Sequence, residues 1–200
     1  MKRPISLPKM FFSIALLFAI LPGGAGATPT SDVIERFHAN LLSVMKEART
    51  LGLQGRYSRL EPEIEQAFNL TLMVRIATGS FWKKANEAQR KDLLSSFKRI
   101  SVSTYASQFN SFSGQSFRTL GEKPGPQKTQ LVETQIMRPP KAPVKITYVM
   151  KGDRIIDVLL DNSISELAVR RSEYRYILSD SGIPGLINVL NEKANKLIQE

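Results

Sequence analysis

The longest apolar pattern in the chain lies between residues 69 and 112, where apolar side chains recur at every third or fourth position. This spacing predicts two helices that share one broad apolar face. Asn69 and Asn86 are placed to cap their starts, and Gly79 ends the first of them. The apolar positions on the two helices are Leu72, Met73, Ile76, Leu93, Leu94, Phe97, Ile100, Tyr105 and Phe109. The remaining elements must cover this face or leave part of it open.

The residues before this stretch predict two further helices. Apolar positions from Val33 to Ala48 follow the helical period, Ser31 can cap the helix, and Gly52 ends it. A loop follows, and Pro62 then stands at the first position of a short helix, where proline is well tolerated. The N-terminal half of the domain is therefore predicted to be helical.

Beyond residue 112 the apolar period changes from helical to alternating. Strands are predicted at 116–121 and 129–138. Alternation is clearest from Val144 to Met150 and from Ile156 to Leu160, and Gly152-Asp153 between them predicts a tight turn. We therefore expect four strands in an antiparallel meander with one apolar face.

Two more helices follow the strands. Ser165 can cap the first, Gly182 ends it, and Pro184 lies at the start of the last one. Helices, then strands, then helices are typical of an α+β domain whose helices pack on one side of the sheet. The predicted fold is a curved antiparallel four-stranded sheet packed against helices.

The N-terminal segment has the three parts of a secretory signal peptide. Lys2, Arg3 and Lys9 precede an uncharged apolar run from Met10 to Leu21, and Ala25-Gly26-Ala27 fits a signal-peptidase site. The apolar run is too short to cross a membrane, which needs about 20 residues. The sequence therefore predicts a signal peptide over residues 1–27, a single domain over 28–200 and an exported, periplasmic protein.

Charge and cysteine content narrow the functional classes. The formal charge is +10, and removal of the predicted signal peptide with its three basic residues leaves +7. The basic residues are scattered and the aromatic ones fall on the apolar face, so nucleic-acid binding is disfavoured. The chain has no cysteine, which excludes disulfides, thiol catalysis and zinc–thiolate sites.

The sequence shows no recognisable catalytic or metal-binding pattern. Motifs such as GxSxG, HExxH, GxGxxG, the P-loop and the EF-hand do not occur. The single histidine, His38, has no partner nearby in sequence and is predicted to have a surface or packing role. Asp153, Asp157 and Asp161 are predicted to lie on a solvated outer face. We therefore expect no enzymatic activity, no cofactor and no metal.

Several short segments resemble the MlaC family of periplasmic phospholipid-binding proteins, also called the toluene-tolerance family, and most closely its hopanoid-associated branch. The matching segments are Ala77-Thr78-Gly79-Ser80-Phe81-Trp82, Gln89-Arg90, Leu93, Phe97, Tyr105, Asp157, Ile164-Ser165, Arg171-Ser172-Glu173-Tyr174 and Gly182-Ile183-Pro184-Gly185-Leu186-Ile187. The resemblance implies a nuclear-transport-factor-like cone with an apolar pocket that holds lipid tails. It also implies a carrier that moves a phospholipid or hopanoid-type lipid between an inner-membrane ABC transporter with a lipid-binding subunit and an outer-membrane complex.

A lipid carrier must enclose the tails, since each methylene exposed to water costs about 0.8 kcal/mol. We expect a pocket of about 500 Å³, mid-range for ligand sites, which is occupied or contracts when empty. The predicted lipid-binding residues are Leu72, Met73, Ile76, Phe97, Tyr105, Phe109, Ile146, Tyr148, Val158, Leu160, Ile164, Leu167, Arg171 and Tyr174. Arg171 is placed on the headgroup side. Two alternatives are a cone-fold isomerase or dehydratase using Asp157 or His38, and a non-lipid envelope adaptor.

Overall fold

The computed structural model describes residues 29–161 and 163–199, so the predicted signal peptide lies outside the described residues. The domain is α+β, with helices first, then an antiparallel sheet, then a long interrupted helix. The elements are α1 (Pro29–Lys46), α2 (Ala48–Ala67), α3 (Leu70–Thr78), α4 (Ser80–Lys84), α5 (Glu87–Gln108), β1 (Ser116–Gly125), β2 (Thr129–Arg138), β3 (Lys141–Lys151), β4 (Arg154–Leu160), β5 (Ile164–Ser165) and α6 (Glu166–Gln199). No helix within these ranges is both long and apolar enough to span a membrane.

The predicted helix starts on either side of Gly79 are confirmed. The Oδ1 atom of Asn69 accepts a hydrogen bond from the Leu72 amide at 3.0 Å. At the start of α5, Asn86 and Gln89 form a reciprocal capping box, with distances of 2.8 and 3.1 Å. These local bonds satisfy amides that the first helical turn cannot pair.

Two glycines interrupt the long helices. Gly52 in α2 has φ 59° and ψ −175°, and Gly182 in α6 has φ 65° and ψ −164°, a region that side-chain-bearing residues avoid. Glu173 and Lys193 form an ion pair at 3.6 Å. In a straight helix, 20 residues would separate them by about 30 Å. The chain therefore folds back at Gly182, and the two halves of α6 lie side by side.

The predicted loop after Gly52 and the predicted helix start at Pro62 are wrong. The chain is helical on both sides of Pro62, which lies inside α2. Leu60 and Ile64, four residues apart on one face, are fully buried. Their burial outweighs the hydrogen bond that an interior proline removes.

The sheet has five strands rather than the predicted four, in the order β1-β2-β3-β4-β5, and all pairs are antiparallel. The fifth strand has only two residues, Ile164 and Ser165, which pair with Leu160 and Leu159. A strand this short has no alternating pattern to recognise. The first strand extends beyond the predicted 116–121 to Gly125, and its register shifts between Thr119 and Gly121.

The helices and one face of the sheet enclose the hydrophobic core. Helix α1 packs on β1 and β2, and α2, α3 and α6 pack on β4. The joint between α2 and α3 is attached to the sheet, because the Asn69 amide donates to the Ile155 carbonyl at 2.8 Å. Along β3, Ile146, Tyr148 and Met150 face the core, whereas Lys145 and Lys151 are exposed.

Candidate functional site

A cavity of about 220 Å³ lies between the sheet and helices α2, α3, α5 and α6. We call it the inner cavity. Its lining residues are Ile64, Phe68, Leu70, Met73, Ser101, Thr104, Tyr105, Gln108, Phe109, Ile146, Tyr148, Val158, Leu160, Glu166, Leu167 and Arg170. Most of this lining is apolar, so the cavity is suited to a hydrocarbon ligand.

The sheet contributes a continuous apolar wall to the inner cavity. Ile146 pairs with Leu160 and Tyr148 pairs with Val158 across strands β3 and β4. Because side chains two residues apart on a strand point to the same face, all four lie side by side on the core face. The alternating pattern of these two strands thus builds one side of the site.

Helix α5 forms the opposite wall with two aromatic rings. Tyr105 and Phe109 are one turn apart, and their rings stack with centroids 5.6 Å apart and planes 9° apart. The Tyr105 ring also packs edge-on against Phe37 and Phe68, at 5.6 and 5.8 Å. Burial raises the pKa of Tyr105 far above its ordinary value, so its hydroxyl stays protonated.

A buried polar pair lies on the core face of the sheet, where helix α1 packs against β1 and β2. The Nε2 atom of His38 is 2.9 Å from the Tyr148 hydroxyl, and the imidazole stacks on Phe117 at 4.0 Å. Burial lowers the pKa of His38 to about 3, so the imidazole is neutral. One partner can therefore donate and the other accept. The predicted packing role of His38 is confirmed, and the sequence did not indicate its partner.

The polar lining residues of the inner cavity lie on α5 and at the start of α6. Ser101 and Thr104 donate their hydroxyl hydrogens to carbonyls of their own helix at 2.8 and 2.7 Å, which leaves little free polarity on that wall. Gln108 is exposed, and Glu166 and Arg170 are half-buried. The Arg170 guanidinium lies 5.6 Å from the centre of the Phe97 ring. The cavity therefore opens to solvent beside Gln108, Glu166 and Arg170, and we call this opening the mouth.

Comparison with known proteins gives a family and a structural relative. Residues 35–192 match the family model described as MlaC protein. The chain belongs to the MlaC family. The family predicted from the sequence is thus confirmed, whereas the hopanoid-associated branch stays a prediction. A comparison with curated proteins gives no match.

The fold of this MlaC-family chain is similar to that of a phospholipid-binding protein from Ralstonia solanacearum, solved in complex with a phospholipid. The TM-score is 0.73 at 18% identity, and the match covers 84% of this chain and 98% of the other. At this identity the similarity establishes the fold alone. It supports the predicted α+β class with an antiparallel sheet.

The structure brings together more than half of the predicted lipid-binding residues of this MlaC-family chain. The predicted residues that line the inner cavity are Met73, Tyr105, Phe109, Ile146, Tyr148, Val158, Leu160 and Leu167. Their contact with lipid stays a prediction.

The other predicted lipid-binding residues do not line the inner cavity. Leu72 and Ile76 are half-buried on α3, and Phe97 is fully buried in the core. Tyr174 is buried against a neighbouring groove, and 52% of Ile164 is exposed. These residues were predicted from the spacing of apolar positions. That spacing does not distinguish a side chain that lines a cavity from one that is buried in the core or exposed on the surface.

The arginine at the mouth is Arg170, whereas the predicted Arg171 is exposed and points towards α3. One of its terminal nitrogens is 3.9 Å from the position that a Cβ atom on residue 79 would occupy. The helical period could have indicated Arg170 as a lining residue. It lies three residues after Leu167, on the helix face that packs against the cavity. A spacing of three or four residues from Tyr105 would likewise have indicated Ser101 and Gln108.

The prediction that Asp157 lies on a solvated outer face is wrong. One carboxylate oxygen accepts from the Ser165 hydroxyl at 2.6 Å, and the other accepts from the Leu167 amide at 3.0 Å. Asp157 therefore joins β4 to β5 and to the start of α6, next to the mouth. Across residues 29–161 and 163–199, no group of three or more His, Cys, Asp or Glu is arranged to bind a metal.

Proposed function

We propose that the protein is a lipid carrier that encloses lipid tails in the inner cavity. The observation that carries the proposal is the arrangement of this cavity, with an apolar wall from β3 and β4, an aromatic wall from α5, and polar, partly exposed residues at its opening. A lipid has the same division between apolar tails and a polar headgroup. Membership of the MlaC family supports the same function.

The size of the cavity is relevant to how a lipid enters. Its volume of about 220 Å³ is below the range of about 300–1,000 Å³ that is typical of ligand sites. At about 24 cal/mol per Å³, a dry cavity of this size costs about 5 kcal/mol, a large part of the stability of a small domain. A pocket that is small when empty and widens around the ligand limits this cost. We propose that the inner cavity widens in this way.

The biological setting is also part of the proposal. We propose a periplasmic carrier, exported by the signal peptide at 1–27, that exchanges a phospholipid or hopanoid-type lipid between an inner-membrane ABC transporter and an outer-membrane complex. We also propose that the sheet and helices form a nuclear-transport-factor-like cone. The resemblance described above is the support for these details.

The geometry gives less support to the alternative hypothesis of an enzyme. A general acid or base must reach the ligand with a proton to exchange. The Nε2 of His38 is bonded to Tyr148, and both carboxylate oxygens of Asp157 accept hydrogen bonds from Ser165 and Leu167. These side chains hold the structure together, which leaves binding as the better supported role.

Lipid extraction tests the proposal directly. The full chain is expressed in a bacterium with two membranes, purified from the periplasm without detergent, and extracted with organic solvent for mass spectrometry. We expect about one lipid for each protein, and its mass identifies the lipid class. A protein that is folded and lipid-free, and that gains no lipid from vesicles, would contradict the proposal.

A further inference from the structure

A second cavity lies directly beside the inner one. It has a volume of about 380 Å³ and runs along α5 and the two halves of α6. We call it the outer groove. It shares Thr104, Glu166 and Arg170 with the inner cavity. The two spaces therefore adjoin at these three side chains, and a ligand that fills the inner cavity comes next to the outer groove there.

The fold-back at Gly182 builds the outer groove. It places the second half of α6, with Lys193 and Lys196, next to the first half, with Glu173 and Arg170. Three basic side chains thus line the groove with two carboxylates. Apolar residues, among them Ile100, Val169, Leu190 and Leu197, complete the lining, so the groove combines an apolar surface with an excess of one positive charge.

Arg170 lies at the junction of the two spaces. Its positive charge opposes the rise in pKa that burial gives to Tyr105 on one side and to Tyr174 on the other. Among the described residues it forms no ion pair. A half-buried guanidinium without a carboxylate partner is suited to bind an anion.

Lys193 is only weakly engaged. Its ion pair with Glu173 is 3.6 Å long, and both side chains are about half exposed. Exposed pairs of this kind contribute at most about 1 kcal/mol, so a phosphate group can replace the carboxylate at little cost. Lys193 is therefore available to an anion that reaches the groove.

We propose that the outer groove binds the phosphate ester of the lipid whose tails occupy the inner cavity, through Arg170, Lys193 and Lys196. This inference rests on the proposed carrier function. The phosphate of a glycerophospholipid is covalently joined to the tails a few bonds away. Tails in the inner cavity place it at the shared wall, where the basic residues begin.

A competition experiment tests the groove separately from the cavity. The purified full chain is incubated with equal amounts of dioleoylphosphatidic acid and dioleoylglycerol in micelles of a non-ionic detergent. The retained lipids are then extracted and measured by mass spectrometry. The two probes have identical tails and differ only in the phosphate. We expect the wild-type protein to retain the phosphatidic acid at least about tenfold more, equivalent to about 1.4 kcal/mol.

The double variant Lys193→Gln, Lys196→Gln should lower this ratio about tenfold, and so should 1 M salt, which shortens the screening length to about 3 Å. The double variant Lys83→Gln, Lys84→Gln removes the same charge from exposed positions on α4 and is the matched control. Its ratio should equal that of the wild type. A separate Arg170→Gln variant should lower the ratio as well.

The outcomes separate the two proposals. Equal retention of both lipids by the wild type, or an equal fall of the ratio in both double variants, would overturn the groove assignment and leave the carrier function standing. Retention of neither lipid would overturn the carrier function. If glycerol 3-phosphate alone binds as tightly as phosphatidic acid, the groove serves a soluble phosphate ester, which would also overturn the lipid assignment.

Discussion

His38 on α1 and Tyr148 on β3 are joined by a hydrogen bond of 2.9 Å, although 110 residues separate them in the chain. Both side chains are at most 4% exposed. The bond anchors the first helix to the strand that forms the wall of the inner cavity. The position of the Tyr148 ring in that wall therefore depends on a contact with α1.

A double-mutant cycle measures this contact. Tyr148→Phe and His38→Leu each leave one buried polar group without a partner, which should lower the free energy of unfolding by about 1–3 kcal/mol. The double variant removes both polar groups, and its loss should be smaller than the sum of the two by about 1 kcal/mol. Urea unfolding monitored by circular dichroism gives the four values. Strictly additive losses would show that the pair is not coupled.

The buried imidazole also predicts a pH dependence. The pKa of His38 falls from 6.5 to about 3 on folding, so the unfolded chain binds more protons between these values. The free energy of unfolding should therefore fall with decreasing pH from about 6.5 towards 3, by up to about 1.4 kcal/mol per pH unit. His38→Leu removes this contribution. Urea unfolding between pH 6 and 4 should give a shallower slope for the variant, and equal slopes would contradict the prediction.

Charge inside the inner cavity should abolish lipid retention. Tyr105→Asp and Leu160→Asp each place a carboxylate where a tail would lie. A tail packed against it would bury an unpaired charge, and the free energy that this costs exceeds the free energy gained by burying the tail at that point. We expect little or no co-purified lipid by mass spectrometry, with a circular dichroism spectrum like that of the wild type. Tyr176→Asp is the matched control, because that side chain is 81% exposed on α6. Unchanged lipid content in both cavity variants would show that the lipid tails do not bind in the inner cavity.

The fold-back of α6 depends on the backbone of Gly182. A side chain there would meet no atom closer than 3.7 Å, so Gly182→Ala tests the φ of 65° rather than a steric clash. We expect a loss of about 1–3 kcal/mol in the free energy of unfolding. Ser181→Ala, next to it on an exposed site, should change it by less than about 0.5 kcal/mol. Equal effects of the two variants would show that the backbone conformation is not critical.

Local chemistry made much of the fold predictable. Asn69 and Asn86 cap their helices through residues three positions away, and Gly182, with its positive φ and Pro184 two residues later, ends the first half of α6. Alternation on β3 and β4 likewise indicated the wall of the inner cavity, because the period of a strand directly gives its faces. Features set by neighbours within one element were therefore accessible from the sequence.

Features set by long-range contacts were not accessible. The partner of His38 lies on another element, and β5 exists only because Leu159 and Leu160 are in place to pair with it. Arg170 lines the inner cavity and the predicted Arg171 does not, and the sequence could not distinguish them because both arginines fit a solvated helix surface. Core packing and cavity lining have the same apolar period, so Phe97 and Tyr105 looked equivalent.

The register shift between Thr119 and Gly121 has a consequence for the free edge of β1. A bulge twists an outer strand, and Pro124 lacks an amide hydrogen to offer to a neighbouring chain. Both features make this edge a poor template for strand addition and for amyloid-like stacking. These two features therefore disfavour edge-to-edge pairing of two copies through β1.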